Sequence, residues 1–217
     1  MSLKLYFHPL ASFCQKALVA LYENDTPFEP LLVDLGDATS SAGFKKLWPI
    51  GKMPVLRDEA SDRTIPESSI IIEYLAQHYP GRTRLVLADA DLARQTRLRD
   101  RFYDLYVQEP MQKVVTDRLR PAGANDPFGV EQAKAVLQTA YGMIDRDMAA
   151  RTWAMGDEFG MADCAAAPAL FYANLVLPFE DAHGNVARYL DRLMQRPSFA
   201  RVVEEARPYF GLFPQAR

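Results

Sequence analysis

The chain has 217 residues, 49% of them apolar and 24% charged, with a net charge of −3 at neutral pH. This length allows one or two domains with a sizeable core, and so small a charge without a long basic run makes nucleic acid and anionic membrane surfaces poor partners. Two cysteines, Cys14 and Cys164, and three scattered histidines, His8, His78 and His183, form neither a disulfide framework nor a metal-ligand pattern, so no metal is expected. The first nine residues lack the basic start and long apolar region of a secretory signal, and no stretch approaches the ~18 apolar residues of a membrane span, so a cytoplasmic protein is expected.

Residues 3–7 are a short apolar run containing Tyr6 and Phe7, ended by His8-Pro9, and read as a buried first strand. Ser12 with Gln15 three residues later has the form of a capping box, and Ala17, Leu18, Leu21 and Tyr22 continue at helical spacing up to Asn24-Asp25. Residues 28–33 read as a second strand, and a β-α-β order with so short a helix predicts a right-handed crossover and parallel pairing. Residues 37–41 read as a polar loop and residues 44–48 as a single helical turn closed by Pro49. Residues 55–57 and 64–65 flank a turn-rich segment, 58–62, which predicts a hairpin and a four-stranded mixed sheet. From Ser69 onward, Ile70, Ile71, Tyr74 and Leu75 mark one face of a helix stopped by Tyr79-Pro80-Gly81.

Strand signals vanish after this point. Leu98, Phe102, Leu105 and Tyr106 stand at i, i+4, i+7 and i+8 and predict a long amphipathic helix, kinked or broken by Pro110. Residues 121–128 read as a loop, after which Ala133, Val136, Leu137, Ala140, Ile144 and Met148 mark a second long helix. Residues 164–177 are apolar on nearly every side, which a helix tolerates only when neighbours surround it, so this is the expected central core helix. Two shorter helices, 185–196 and 198–206, are split by Pro197, and residues 209–217 form a tail.

Two stretches about a dozen residues apart carry the functional signal: Lys52-Met53-Pro54-Val55-Leu56 and Pro66-Glu67-Ser68-Ser69-Ile70. The free backbone N–H groups of a helix start favour an anion, Ser68 adds a hydroxyl at that point, and Glu67 beside it suits an ammonium group. A ligand with both charges on one carbon is an α-amino acid head group. A cis Met53-Pro54 bond would turn the backbone N–H and C=O of Met53 outward to pair with an extended peptide.

Together with Tyr6-Phe7-His8-Pro9 leading into Ser12 and Lys16, with Gly51 ahead of Lys52, and with residues 156–163, these stretches resemble the soluble glutathione transferases, of the bacterial serine type, over nearly the whole chain. The resemblance implies a thioredoxin-like α/β domain over residues 1–80, a linker over 81–88 and an all-helical domain over 89–217. It implies glutathione as co-substrate, an electrophilic small molecule as second substrate, and a homodimer. Ser12 matches the serine that donates to the glutathione sulfur; Lys52, Met53, Pro54, Glu67 and Ser68 match the glutathione-binding corner. Residues 156–163 match the start of the family's buried central helix, with Gly160 where the family has Ser or Thr. Asp163 remains to reach back to a backbone N–H, which is a structural role.

Each candidate has a plainer reading. Ser12 serves equally as an N-cap, His8 as a strand-end residue, and Lys52 as a solvated loop lysine. Cys14, in the first turn of a helix, reads either as a thiol activated by the dipole or as a small buried residue. Tyr103, Tyr106, Met111 and Phe171 are candidates for the second-substrate pocket, or ordinary core. The main reading is a glutathione transferase. Alternatives are a glutathione-dependent isomerase, a thiol transferase working through Cys14, and a non-catalytic binding protein that keeps the fold.

Overall fold

The first strand, β1 (Leu3–Phe7), buries Leu3, Leu5 and Phe7 on one face. In the computed structural model, which describes residues 2–214, it lies inside a sheet of order β2-β1-β3-β4. The helix α1 (Ser12–Glu23) carries the chain to β2 (Glu29–Leu32), which pairs with β1 in parallel. The helix α2 (Ala38–Leu47) follows, and then the hairpin β3 (Val55–Asp58) and β4 (Arg63–Pro66), with β3 antiparallel to β1 and Leu5 opposite Leu56. The helix α3 (Ser68–His78) closes this thioredoxin-like half.

Three expectations for this half are corrected. Residues 37–41 are not a loop: Asp37 is the N-cap of α2, its Oδ1 accepting from the Ser40 N–H at 2.7 Å. Only Phe44 on that helix is buried, and a helix with one apolar anchor shows no periodicity in its sequence. Ser12 and Gln15 do not form a capping box. Ala11 takes the N-cap position with no side-chain bond, and the Gln15 amide instead donates to the Pro9 carbonyl at 2.8 Å and lies 3.0 Å from the Tyr172 hydroxyl. On α3 the buried face is Ile71, Ile72, Tyr74 and Leu75, while Ile70 points outward.

The other half is helical: α4 (Ala90–Tyr103), a π segment (Asp104–Gln108), α5 (Glu109–Arg118), α6 (Pro127–Met148), α7 (Met161–Val176), α8 (Gly184–Gln195) and α9 (Pro197–Ala206). Pro110 does not break the long helix. The π segment ends two residues before it, and its wider turn relieves the clash between the proline ring and the carbonyl four residues back. The stripe of Leu98, Phe102, Leu105 and Tyr106 is also reversed from expectation, since Leu98 is 63% and Tyr106 51% exposed. The buried side carries Thr96, Asp100, Tyr103, Asp104 and Val107, where paired polar groups take the place of an apolar stripe.

Helix α7 is buried on nearly every side and packs against both α1 and α4, so the two halves share one core. Its start is fixed by Asp163, which accepts from the Gly160 N–H at 2.9 Å, the Ala154 N–H at 2.8 Å and the Tyr189 hydroxyl at 2.5 Å. The expected tail begins within a 3-10 turn (Arg207–Leu212), and its last three residues, 215–217, lie outside the described residues.

Candidate active site

Two adjoining cavities open along the junction of the halves. The smaller, of about 140 Å³, is bordered by Lys52, Met53, Pro54, Glu67 and Ser68 from the sheet side, and by Arg101, Asp104 and Glu109 from the long helix. Its floor is set by backbone. The Met53-Pro54 bond is cis, and Glu67, at the N-cap of α3, has φ 69°, a left-handed conformation that a non-glycine residue keeps only where its surroundings enforce it. That geometry leaves Ser68 buried at the helix start and Glu67 and Lys52 exposed at the rim.

The larger cavity, of about 490 Å³, is mostly apolar and is bordered by His8, Ser12, Met53, Met111, Tyr172 and Phe213 among others. Met53 belongs to both cavities. Ser12 is the first residue of α1 and is 8% exposed, and among the described residues no protein group hydrogen-bonds its hydroxyl. Its helix position adds the positive end of the α1 dipole to any donation it makes.

Of the four residues suggested for the second-substrate pocket, only Met111 borders the larger cavity. Tyr103 is buried and hydrogen-bonded to Tyr189. Tyr106 lies on the outer side, in an apolar groove with Phe102, Val136 and Met143. Phe171 packs among Tyr172, Phe199 and Phe210. Helical spacing identifies a side of a helix but does not say whether that side meets a cavity, a neighbour or solvent. The sequence reading missed Arg101, Asp104 and Glu109 at the small cavity, and Tyr172 and Phe213 at the large one. A charged residue recurring at i, i+3 and i+8 along the long helix was the available signal for the first group.

Cys14 is fully buried, and burial pushes its thiol up to about 12. The helix dipole does not overcome desolvation there, so the activated-thiol reading is corrected. Behind the small cavity lies a buried ionic cluster. The ammonium of Lys16 is 2.6 Å from Asp100 Oδ1 and 2.8 Å from Asp104 Oδ2, and it donates to Ser69 Oγ at 2.8 Å. Ser69 Oγ donates to Asp100 Oδ2 at 2.6 Å, and Arg101 pairs with Asp104 from outside. Burial lowers Lys16 to about 8, against the pull of Asp100.

Residues 5–83 match the family of glutathione S-transferase N-terminal domains, and residues 127–192 match that of the C-terminal domains. Glutathione S-transferase GstB of Escherichia coli is 27% identical over 192 residues, which is 87% of this chain and 91% of that protein. Glutathione S-transferase hmp2 of Hypomyces subiculosus is 28% identical over 218 residues, 95% of this chain and 100% of its own. A glutathione S-transferase from Methylobacillus flagellatus, solved with GSH bound, superposes with a TM-score of 0.84 at 25% identity, covering 93% of this chain and 98% of its own. Sheet order, helical second half, both domain matches and full-length relatives agree: the chain belongs to the glutathione S-transferase family.

Proposed function

We propose that the protein is a serine-type glutathione transferase that adds the glutathione thiolate to an apolar electrophile. Glutathione lies in the small cavity. Its γ-glutamyl ammonium faces Glu67, its γ-glutamyl carboxylate meets Ser68 and the start of α3, and its backbone pairs with Met53 beside the cis Pro54. Lys52 reaches the glycyl carboxylate. The sulfur then points to Ser12 at the edge of the larger cavity, where the electrophile binds against Met111, Tyr172 and Phe213. The enzyme works as a cytoplasmic homodimer, with the exposed apolar groove of Phe102, Tyr106, Val136 and Met143 as the surface a second copy covers.

The observation that carries this reading is the uncommitted hydroxyl of Ser12 on the wall of the large apolar cavity, which shares Met53 with the smaller polar one. A free thiol with pKa near 8.5 is only a few per cent thiolate at pH 7, and a hydrogen bond to a charged acceptor, worth about 1.5–3 kcal/mol, lowers that pKa by about one to two units. The rest of the acceleration comes from holding sulfur and electrophile together. A thiol-exchange reaction through Cys14 finds no support in a thiol that is buried and held protonated.

The test compares Ser12→Ala with Cys14→Ala in the conjugation of an aryl halide as a function of pH. Ser12→Ala should move the rise of the rate to higher pH by about one to two units and lower the rate at neutral pH, while Cys14→Ala leaves both nearly unchanged. Loss of turnover in Cys14→Ala with Ser12→Ala unaffected would replace this reading with thiol exchange.

A further inference from the structure

The cluster around Lys16 joins three elements at one buried point: α1, which carries Ser12; α3, which begins at Ser68; and the long helix at Asp100 and Asp104. The side chains of Lys16 and Asp100 are each 1% exposed, and that of Asp104 4%. The ammonium donates to Ser69 Oγ and to Asp104 Oδ2, each at 2.8 Å, and lies 2.6 Å from Asp100 Oδ1 as an ion pair that lacks hydrogen-bond alignment. With Arg101 added, two cations face two carboxylates, so the cluster is neutral.

Stability alone gives little reason to bury such a group, because apolar residues of similar volume would often hold the helices together as well. An apolar contact, however, does not fix direction. An ammonium that donates to Ser69 and Asp104 while ion-paired with Asp100 holds the two acceptors at set angles, and one of them, Ser69, is the next residue after Ser68. Lys16 itself lies one helical turn beyond Ser12, on the same side of α1. One side chain thus links the helix of the thiolate donor to the turn that receives the amino-acid end of the ligand.

Resting on the transferase reading above, we propose that Lys16 is a positioning residue for glutathione. Through Ser69 it holds the start of α3, and with it Glu67 and Ser68, at the distance from Ser12 that a single bound tripeptide must span. Asp100 and Asp104 orient the ammonium, so the helical half of the chain takes part in binding at a corner built from the sheet half.

The test is equilibrium binding of S-methylglutathione, whose sulfur carries no proton, by titration calorimetry, together with KM values in the conjugation assay. Ser69→Ala removes the link and leaves Lys16 with both carboxylates. It should weaken binding about three- to tenfold and raise the KM for glutathione by a similar factor, with the KM for the electrophile nearly unchanged and the melting temperature lowered by a few degrees as Lys16 and Asp100 each lose a partner. Lys16→Met should weaken binding at least as much, and adding Ser69→Ala to it should cost nothing further, since both remove one connection. If the unaltered protein binds S-methylglutathione and Ser69→Ala binds it equally well, the inference fails, whether or not Lys16→Met folds. A Lys16→Met protein that loses only melting temperature, with binding intact, also overturns it. Absence of binding to the unaltered protein would instead remove the transferase reading.

Discussion

Replacing Asp163 with alanine tests how the central helix is held. The carboxylate is fully buried, and its two oxygens accept from three groups, the N–H of Ala154, the N–H of Gly160 and the hydroxyl of Tyr189. Alanine leaves the N–H groups of Ala154 and Gly160 buried without their acceptor, Gly160 has no side-chain oxygen to offer instead, and the Tyr189 hydroxyl is left with Tyr103 alone. Each orphaned donor costs about 1–3 kcal/mol, so with partial relaxation the loss is about 3 to 6 kcal/mol, against the about 5–15 kcal/mol by which native proteins are stable. For a chain of this size that corresponds to a fall in melting temperature of about 10 to 20 °C. Urea titration followed by far-UV circular dichroism reads the loss directly. The fraction that remains folded should bind S-methylglutathione as the unaltered protein does, because Asp163 touches neither cavity. A loss below about 1 kcal/mol would mean that other groups satisfy these donors and that Asp163 is not what fixes the start of α7.

Asp58 governs the acid side of stability. Burial alone would raise its pKa, but the hydroxyls of Tyr79 and Tyr74, at 2.6 and 2.7 Å, and the N–H of Ala60 hold it down to about 2. Since the unfolded value is near 3.9, this stabilisation, about 2 kcal/mol, is present above pH 4 and is lost as pH falls toward 2; Asp58→Asn should flatten that limb, and equal slopes in the two proteins would refute it. Replacing Glu67 or Ser68 with alanine should weaken glutathione binding by about 1.5 to 3 kcal/mol, and calorimetry that finds unchanged affinity in both variants rules out their assignment to the γ-glutamyl end. Sedimentation at micromolar concentration should find a dimer that Tyr106→Glu disrupts; a monomer in the unaltered protein would show that the outer groove is not a self-association surface.

Much of the fold was legible in the residues. A strand, a helix and a strand ahead of an X-Pro entry to a hairpin leave few arrangements, and Glu67-Ser68 opening an apolar helix lies on the wall of the small cavity. Pro197 divided α8 from α9, and Asp163 reached the backbone N–H expected of it. What escaped has a common physical cause, which is that periodicity reports apolar residues and therefore misplaces a face buried by other means. The inner side of the long helix is buried through Asp100 and Asp104, whose partner Lys16 is far away in the chain, so Leu98 and Tyr106 were taken for the inward side. Helix α2 failed the opposite way, being exposed except at Phe44. The uncommitted hydroxyl of Ser12 depended on a shift of one residue in the cap, from Ser12 to Ala11, which no spacing rule could decide.

The π segment has a consequence for how this family member can change. A π turn contains one residue more than an α turn, and one residue in an α-helix corresponds to about 100° of rotation. Upstream of it, Asp100 is aimed at Lys16; downstream, Met111 and Val115 are aimed at the large cavity. The extra residue is a phase offset that lets one continuous rod serve two targets on different bearings. Deleting Leu105 would restore a regular helix and leave Met111 to Leu119 facing the cavity, whereas the same residues wound as an unbroken α-helix would turn them about 100° away while the ion cluster stayed in place. Substitutions at Met111 and Val115 can therefore reshape the large cavity independently of Asp100, and the wide turn between them can gain or lose its one extra residue without turning the cavity wall away from the anchor.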